Sequence, residues 1–447
     1  MALASTIIFR ANTAGTAGNV NGGGYKPGSS GTDFSQQNAA QYDLTGGTTA
    51  GADAVFLHAS AAADMVGNIL KINSGTNFTI GWYEILSVSV GVSITLDRAC
   101  ATAAGALGAA KIGGYLSLGS SDDAVFEALA PGNKLYIEKG TYTIGGAVNV
   151  INDGTTTLPI NIVGRDGSDT VAPTGANRPI LAFAANTSTF AGEYYNFYNL
   201  DITTSSGAGL SVSIGAILSN TKVFNNSVTA GRVAITAVGA SLKIISCEAI
   251  STNGVGISFS DDVLVTGSYI HDCGQTGLSI GTGDDAKITF NIIDTCATAI
   301  SIGTSGFSFF IQNNTLYNGT TGINNGGISG LNGSILNNTI SEFTTGANST
   351  TNWPSDLWDY NNFFNCTTPR TNVNAGPNDT ALDPAFTDAP NGDFTIGANL
   401  KAKAFPGAFP GGLTTGYLDI GAVQRVEPTG GSSGGARVMG AGRVSGG

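Results

Sequence analysis

The chain has 447 residues, of which 65 are glycine, 41% are hydrophobic and only 11% are charged, and its formal net charge is −12. This composition excludes a disordered chain, because apolar residues are plentiful enough to build a large buried core. It also argues against a nucleic-acid partner, because the 19 lysines and arginines form no concentrated basic face that could hold phosphates.

Residues 1–50 are dominated by Gly, Ala, Thr, Ser and Asn and are expected to form an extended N-terminal arm. The first positive charge, Arg10, follows the short apolar run instead of preceding it, so no signal peptide is evident. No apolar run reaches the length of about 18 residues that a membrane span needs, and we expect no membrane association.

Residues 51–115 are expected to form a small β module. Within it, DMVGNILKINSGTNFTIGWYEILSVSVGVSITLDRA reads as three or four strands separated by glycine turns. Through the phrase GWYEILSV and its overall texture, this module resembles N-terminal segments of proteins encoded beside head and tail genes of tailed bacteriophages. The resemblance implies an attachment domain.

Residues 116–366 are expected to form the main body, because one short phrase recurs there. The phrases VFNN, ITFN, IQNN, ILNN and DYNN end at Asn226, Asn291, Asn314, Asn338 and Asn362. With Glu248 and Ser268 filling the remaining places, the steps are 20 to 24 residues, a period that indicates a solenoid. Short alternating segments such as GISFS and GLSIG, and the lack of an L-x-x-L-x-L core, favour a parallel β-helix over a leucine-rich repeat.

The predicted fold class is therefore all-β, a single-stranded parallel β-helix with a small N-terminal β module and an extended arm. Coils of such a solenoid stack about 4.8 Å apart, so like residues lie above like. The five asparagines are expected to form a structural ladder that passes hydrogen bonds from coil to coil.

The two ends of this body carry a resemblance to a known superfamily. SDDAVFEALAPGNKLYIEKGTYTI, residues 121–144, is similar to the opening of right-handed parallel β-helix proteins of the pectate-lyase-like superfamily, where a small helix covers the first coil. LDPAF, NGDFTI and YLDIGAV resemble their closing segment, which we assign to residues 367–427. Residues 428–447 are low in complexity and are expected to be a flexible Gly-rich tail.

The densest polar group repeats across two predicted coils and consists of Asp261, Asp262, His271, Asp284, Asp285 and Asp294. If the chain is an enzyme, the candidate catalytic residues are Asp261, Asp284, His271 and Asp294. No cofactor is expected, apart from a Ca²⁺ ion that the four residues Asp261, Asp262, Asp284 and Asp285 could bind. The competing interpretation is turn chemistry, because an Asp pair after a strand commonly bonds to its own backbone.

Aromatic residues offer candidates for glycan binding, since flat rings suit the apolar faces of sugars. They are Tyr194, Tyr195, Tyr198, Trp353 and Trp358. On a strand, however, alternate side chains point inward, so part of this set is expected in the core.

Three functions remain open. The favoured hypothesis is a structural protein of a tailed-bacteriophage virion, such as a capsid decoration, head fibre or tail component, that projects a rigid β-helix and contacts host-surface glycans. It would be made in the host cytoplasm without a signal peptide, bind other virion proteins and, as the resemblance implies, form a homotrimer. The alternatives are a polysaccharide lyase or glycoside hydrolase, free or as a tailspike, and a bacterial surface adhesin.

Overall fold

The computed structural model describes residues 7–11, 24–25, 42–113, 118, 123–166, 172–183, 188–205, 207–281, 285–303, 308–326, 332–353, 358–405 and 418–424. The predicted fold class is confirmed, because the chain is all-β and contains a right-handed parallel β-helix of about nine turns and a small antiparallel barrel. It divides into two compact units, Met1–Ile202 and Thr203–Gly447.

The first unit contains a barrel, the opening coils and one α-helix. The barrel strands are β3 (Tyr42–Thr49), β4 (Val55–Leu57), β5 (Ile69–Phe78), β6 (Gly81–Ser89), β7 (Ser93–Leu96) and β8 (Ala101–Ile112). The other strands are β1 (Ile8–Ala11), β2 (Gly24–Tyr25), β9 (Lys134–Glu138), β10 (Thr141–Thr143), β11 (Val148–Val150), β12 (Ile160–Arg165), β13 (Ile180–Ala182), β14 (Ser188–Phe190) and β15 (Tyr195–Tyr198). Helix α1 spans Asp123–Ala128, and 3-10 turns span Ala63–Met65 and Gly175–Asn177.

The barrel closes in the strand order β3-β4-β7-β6-β5-β8 around a core that includes Phe56, Tyr83 and Ile94. The sequence assigned residues 1–50 to an arm and began the module at residue 51, whereas the structure places barrel strand β3 before that boundary. The Gly- and Thr-rich composition of β3 concealed it, because such a segment lacks the apolar alternation that marks a strand.

Strand β1 is a second element inside the expected arm. It pairs in parallel with β9, so that Ile8 lies beside Lys134, and it extends the sheet to the order β2-β1-β9-β12-β15. Helix α1 places Phe126 edge-on against Phe190 in the interior, with ring centroids 5.4 Å apart. The opening of the β-helix is therefore covered by an added strand as well as by the helix that the resemblance implied.

The second unit consists of stacked coils and a long closing segment. Its strands are β17 (Leu210–Val212), β18 (Ile217–Ser219), β19 (Lys222–Asn225), β20 (Val233–Val238), β21 (Leu242–Ile245), β22 (Glu248–Ser251), β23 (Val255–Ser260), β24 (Val263–Thr266), β25 (Tyr269–Ile280), β26 (Ala286–Thr289), β27 (Ile292–Ile302), β28 (Ser308–Gln312), β29 (Thr315–Asn325), β30 (Asn332–Leu336), β31 (Thr339–Trp353), β32 (Trp358–Asp359), β33 (Asn362–Phe364) and β34 (Thr368–Val373). Strand β16 (Asp201–Thr204) lies at the unit boundary, and 3-10 turns span Ala389–Asn391 and Ala398–Leu400.

Each coil turns a corner through one residue in the left-handed region, directly before the ladder position. These corner residues have φ between 49° and 61° and are Asn220, Ser246, Gly267, Phe290, Asn313, Asn337 and Tyr360. The recurring asparagine pair of the sequence thus has two roles: in Asn313-Asn314 the first residue makes the corner, which Asn tolerates, and the second enters the ladder.

The ladder runs through Ser268, Asn291, Asn314, Asn338 and Asn361. In each asparagine step, the side-chain oxygen of the next coil accepts the backbone N–H and the side-chain amide of the coil before it, at 2.9–3.0 Å. The four asparagines are fully buried, so these bonds replace contacts with water along a continuous interior edge.

Two of the five expected ladder residues lie elsewhere. Asn362 begins β33, one residue past the ladder, because the last step from Asn338 is 23 residues long and brings Asn361 into the column. Asn226 is exposed after β19, and the buried Thr221 precedes that strand at the equivalent place. The recurring asparagine phrase therefore predicts which residue enters the ladder only when the length of each coil is known.

The closing segment begins later than expected, because β34 still pairs in parallel with β31. The chain then returns along the outside of the coils. Asn313 donates to the backbone oxygen of Asp419 at 3.2 Å, and Gly421 donates its backbone N–H to Asn337 at 2.8 Å. Residues 374–424, where described, therefore cover the flank of the coils in addition to closing the last one.

Candidate functional site

The outer face of β19, β22, β25 and β27 carries a connected group of charged and aromatic side chains. Ala249, Ile270 and Ile293 point into the core, so their neighbours on each strand point outward. The outward residues form what we call the His271 cluster, which consists of Lys222, Glu248, Tyr269, His271, Asp272, Asp294 and Thr295.

The contacts in the His271 cluster pass from coil to coil. Glu248 Oε1 accepts from Lys222 Nζ at 2.8 Å and lies 3.1 Å from His271 Nε2. The other ring nitrogen of His271, Nδ1, lies 2.8 Å from Asp272 Oδ2. Tyr269 stacks on His271 with ring centroids 4.1 Å apart and donates its hydroxyl to Asp294 Oδ2 at 3.1 Å.

The two half-buried carboxyl groups of the cluster have opposite electrostatic environments. Burial alone would raise the pKa of Glu248, but the hydrogen bonds from His271 and Lys222 outweigh it and lower the pKa to about 2. Burial raises the pKa of Asp294 above its ordinary value in spite of hydrogen bonds from Thr295 and Tyr269. Carboxyl groups that differ in this way can divide the roles of proton donor and permanent anion.

A groove continues from the cluster toward the closing segment. Asp294 is followed in register by Tyr317 and then Ser341, and both line a pocket of about 270 Å³. The pocket walls combine aromatic rings with carboxyl groups, from Tyr317, Phe364 and Phe386 and from Glu342, Asp383 and Asp388. The returning closing segment supplies one wall, so the groove exists only because that segment folds back over the coils.

Among the described candidate catalytic residues, His271 and Asp294 meet in this cluster. His271 and Asp294 are register partners on β25 and β27. Asp261 lies instead in the turn between β23 and β24, where its Oδ1 accepts the backbone N–H of Asp262 at 3.1 Å, and Asp284 lies outside the described residues. The sequence reasoning missed Glu248, Lys222 and Tyr269 as site residues, although each occupies an outward place next to a core position.

Three of the four calcium candidates, Asp261, Asp262 and Asp285, are among the described residues, and they do not form a metal-binding group. Asp285 is exposed and adopts a left-handed φ of 60°, as a turn residue does, and Asp284 beside it is outside the described residues. Across the described ranges, no group of three or more His, Cys, Asp or Glu side chains could hold a metal ion. Asp261 and Asp262 lie in the turn between β23 and β24.

Three of the five glycan candidates are core residues. Tyr195 is fully buried, and its hydroxyl donates to Asn152 Oδ1 at 2.8 Å. Trp353 and Trp358 are buried and pack against each other with ring centroids 5.4 Å apart. The clustering of aromatic residues in the sequence did not distinguish core rings from surface rings, because successive side chains of a strand point to opposite faces and only the structure shows which face is inward.

The other two candidates are half-buried. Tyr194 has a left-handed φ of 56° immediately before β15. Tyr198, at the end of β15, lines a pocket on the outer face of the first unit together with Lys134, Tyr136 and Arg165. Of the five, Tyr198 alone is combined with cationic side chains.

Residues 182–316 match the family model described as a right handed beta helix region. No curated protein sequence matches the chain. None of the helices in the described ranges is both long and apolar enough to cross a membrane.

Several solved structures are similar in architecture. Pectate lyase Pel9A is 15% identical with a TM-score of 0.47, over 68% of this chain and 91% of that one. The catalytic domain of a GH87 alpha-1,3-glucanase is 10% identical with a TM-score of 0.30, over 77% and 86%. The tailspike protein gp49 from Pseudomonas phage LKA1 is 10% identical with a TM-score of 0.19, over 77% and 64%. These are all β-helix proteins, and a fold of this kind is shared by proteins of different function.

Proposed function

We propose that the chain is a structural protein of a tailed-bacteriophage virion, a capsid decoration, head fibre or tail component, whose barrel attaches to another virion protein and whose β-helix presents its outer faces. In this proposal three copies associate, as the resemblance of the sequence implies.

The observation that carries the proposal is the apolar hairpin of the barrel. Leu86 lies on β6, Val90 and Val92 lie in the turn between β6 and β7, and the three are 51%, 67% and 58% exposed. Fully burying a side chain of this kind is worth about 1.5–3 kcal/mol, and neighbouring exposed apolar residues are typical of protein contact sites. The hairpin therefore suits attachment to another protein.

The connection between the barrel and the first parallel strand also supports an attachment role. Trp82 of β6 packs edge-on against Phe9 of β1, with ring centroids 5.3 Å apart. Lys71 Nζ lies 4.5 Å from the centroid of the same indole ring, and Arg98 donates to the backbone oxygen of Trp82. These contacts hold the barrel against strand β1, whereas a simple linker would leave a hinge there. An attachment domain that carries a β-helix needs such a restraint.

The test uses the full chain and the particles of the phage or prophage that encodes it. Antibodies against the chain should label purified particles in electron microscopy, and the chain should be found in them by mass spectrometry. The double variant Val90→Ser and Val92→Ser should lower incorporation at least tenfold, whereas Val228→Ser, a valine that is 87% exposed in the second unit, should not. Particles without the chain would refute the proposal, and a solution mass equal to one chain would refute the trimer.

A second candidate function is hydrolysis or elimination on a polysaccharide at the His271 cluster. The opposite pKa displacements of Glu248 and Asp294, beside an aromatic groove, favour it. Screening acidic and neutral polysaccharides, with and without Ca²⁺, should then give products that disappear in Asp294→Asn and Glu248→Gln and persist in Asp261→Asn. No product from any polymer would remove this candidate.

A further inference from the structure

The pocket of about 270 Å³ between the coils and the closing segment contains a buried hydroxyl group without a partner, and we call it the Ser341 pocket. Ser341 is 1% exposed, and its Oγ has no hydrogen-bond partner among the described residues. Leaving a buried polar group unpaired costs about 1–3 kcal/mol, so such a group in a native protein needs an explanation. A ligand in the pocket would supply the missing partner.

The strand register directs this hydroxyl into the pocket. Ile340 points into the core, so Ser341, the next residue of β31, points outward. Its register partners on the neighbouring coils are Tyr317 and Phe364, and both line the same pocket. Since coils are about 4.8 Å apart, the small serine leaves a recess between two aromatic rings.

The rings of the opposite wall are held in place by a buried phenylalanine. Tyr317 and Phe386 meet edge-on with centroids 5.9 Å apart. Phe394 is 1% exposed and contacts both of them, with centroids at 5.4 Å and 5.3 Å. Aromatic faces attract ammonium groups by about 0.5–1 kcal/mol at exposed sites and cover methylene groups as well. The pocket therefore offers a preformed surface for an alkyl chain that carries positive charge.

The charge of the pocket is negative. Glu342, Asp383 and Asp388 line it, and the described lining residues include no lysine, arginine or histidine. Neutral amide groups donate to these three carboxylates at 2.6–2.8 Å, from Asn365, Asn391 and the backbone of Ala385. Burial raises the pKa of Tyr317, and the charge of Glu342 raises it further. A cationic ligand would thus supply the compensating charge that the lining residues do not.

The placement of the carboxylates favours an extended cation over a compact one. They belong to no group of His, Cys, Asp or Glu side chains that could hold a metal ion in the described ranges. Glu342 is half-buried, whereas Asp383 and Asp388 are exposed, so the negative charge runs from the inside of the pocket to the surface. A chain with several separated positive charges matches this distribution.

From this combination we propose that the Ser341 pocket binds a linear polyamine. One ammonium group would donate to the hydroxyl of Ser341 and to the carboxylate of Glu342. The methylene chain would lie on the rings of Tyr317 and Phe386, and a second ammonium group would reach the exposed carboxylates. A quaternary ammonium has no N–H for Ser341. A basic peptide carries similar charges, but its backbone adds bulk to a pocket that is already below the usual range of about 300–1,000 Å³.

The experiment is calorimetric titration of the full chain with spermidine, and with Mg²⁺, tetramethylammonium and a trilysine peptide with blocked ends as comparison ligands. Spermidine should bind, and its affinity should fall as salt is raised. Mg²⁺ and tetramethylammonium should bind at least about tenfold more weakly, because neither combines N–H donors with an alkyl chain. The peptide should also bind more weakly than spermidine.

Two variants test the residues of the pocket. Ser341→Ala should weaken spermidine binding about fivefold while being at least as stable as wild type in thermal unfolding, because it removes a hydroxyl that has no partner in the free chain. Glu342→Gln should weaken binding about tenfold or more, because it removes the half-buried charge but keeps an oxygen for Asn365. Unchanged near-ultraviolet circular dichroism checks the fold of both.

Asp285→Asn is the matched control for Glu342→Gln. It removes the same charge from an exposed residue outside the pocket, and asparagine tolerates the left-handed φ of 60° there. It should bind spermidine as the wild type does.

The proposal is overturned if spermidine does not bind, if Mg²⁺, tetramethylammonium or the peptide binds as tightly, or if Glu342→Gln and Asp285→Asn behave alike. The pocket includes no residue of the apolar hairpin or of the His271 cluster. Particle incorporation and polysaccharide products are measured separately, so failure here is distinguishable from failure of either role proposed above.

Discussion

Replacing Asn314 by alanine should test how much the asparagine ladder contributes to the fold. Asn314 lies in the middle of the ladder and is 0% exposed. Its side-chain oxygen accepts the backbone N–H of Asn291 at 2.9 Å and the side-chain amide of the same residue at 3.0 Å. Its own amide donates to Ile288 O at 2.9 Å and to Asn338 Oδ1 at 3.0 Å. The substitution removes all of these bonds at once.

The size of the effect follows from the burial of the partners. A hydrogen bond of this kind contributes about 1 kcal/mol net, and a buried donor left without an acceptor costs about 1–3 kcal/mol. The backbone N–H of Asn291 becomes such a donor, because the methyl group of alanine offers it nothing. We therefore expect Asn314→Ala to lower the free energy of unfolding by about 4 kcal/mol.

Guanidinium-induced unfolding of the full chain, followed by tryptophan fluorescence and far-ultraviolet circular dichroism, measures this loss. The buried pair Trp353 and Trp358 reports on the second unit. The control is Asn226→Ala, because the sequence placed Asn226 in the ladder but the structure leaves it exposed, and we expect a change below about 0.5 kcal/mol. A loss below about 1 kcal/mol for Asn314→Ala, or equal losses for the two variants, would refute the assigned ladder.

The folded-state pKa of Glu248 is lowered from 4.5 to about 2, so its contribution to stability is complete above pH 4.5 and is lost as the pH falls toward 2. Glu248→Gln should therefore lower the free energy of unfolding by about 2 kcal/mol at pH 7, after allowance for the 27% exposure of the side chain. In thermal unfolding at pH 2.5 the difference in stability from wild type should be smaller. A difference that does not change with pH would contradict the ion-pair geometry. The pKa of Asp294 is raised, so its charged form is disfavoured in the folded state and its effect on stability at pH 7 is opposite to that of Glu248. We therefore expect Asp294→Asn to be at least as stable as wild type at pH 7. Gly254→Ala should lower the free energy of unfolding by more than about 2 kcal/mol in the same assay, because the added Cβ would lie 1.8 Å from Arg232 O. The control Gly51→Ala has open space around the added Cβ and should be nearly neutral. Similar losses for the two variants would show that the backbone around Gly254 relaxes freely.

Much of the fold was predictable because its main signal is local and repeated. A step of 20 to 24 residues with short alternating segments identifies a β solenoid without knowledge of any contact. The same alternation predicts inward positions such as Ile288 and Ile311, which are fully buried. The helix at Asp123–Ala128 was also visible, since it precedes a Pro-Gly turn.

The candidate site was predictable only in part, because it depends on neighbours across several coils. His271 and Asp294 were matched by their spacing alone. Lys222 and Glu248 were not, since the coils that separate them from His271 differ in length by several residues. The groove beside them needs the closing segment, whose return path over Tyr317 no local pattern encodes.

The amino-acid sequence by itself determined that the chain is a stack of parallel coils, because each coil must bury its apolar residues against the next and so repeats the same pattern. The tertiary structure decided which of two adjacent asparagines, Asn361 or Asn362, enters the ladder, and which aromatic rings reach the surface. A change of one residue in coil length reverses inside and outside along a strand, and this length is fixed only when all the coils are packed together.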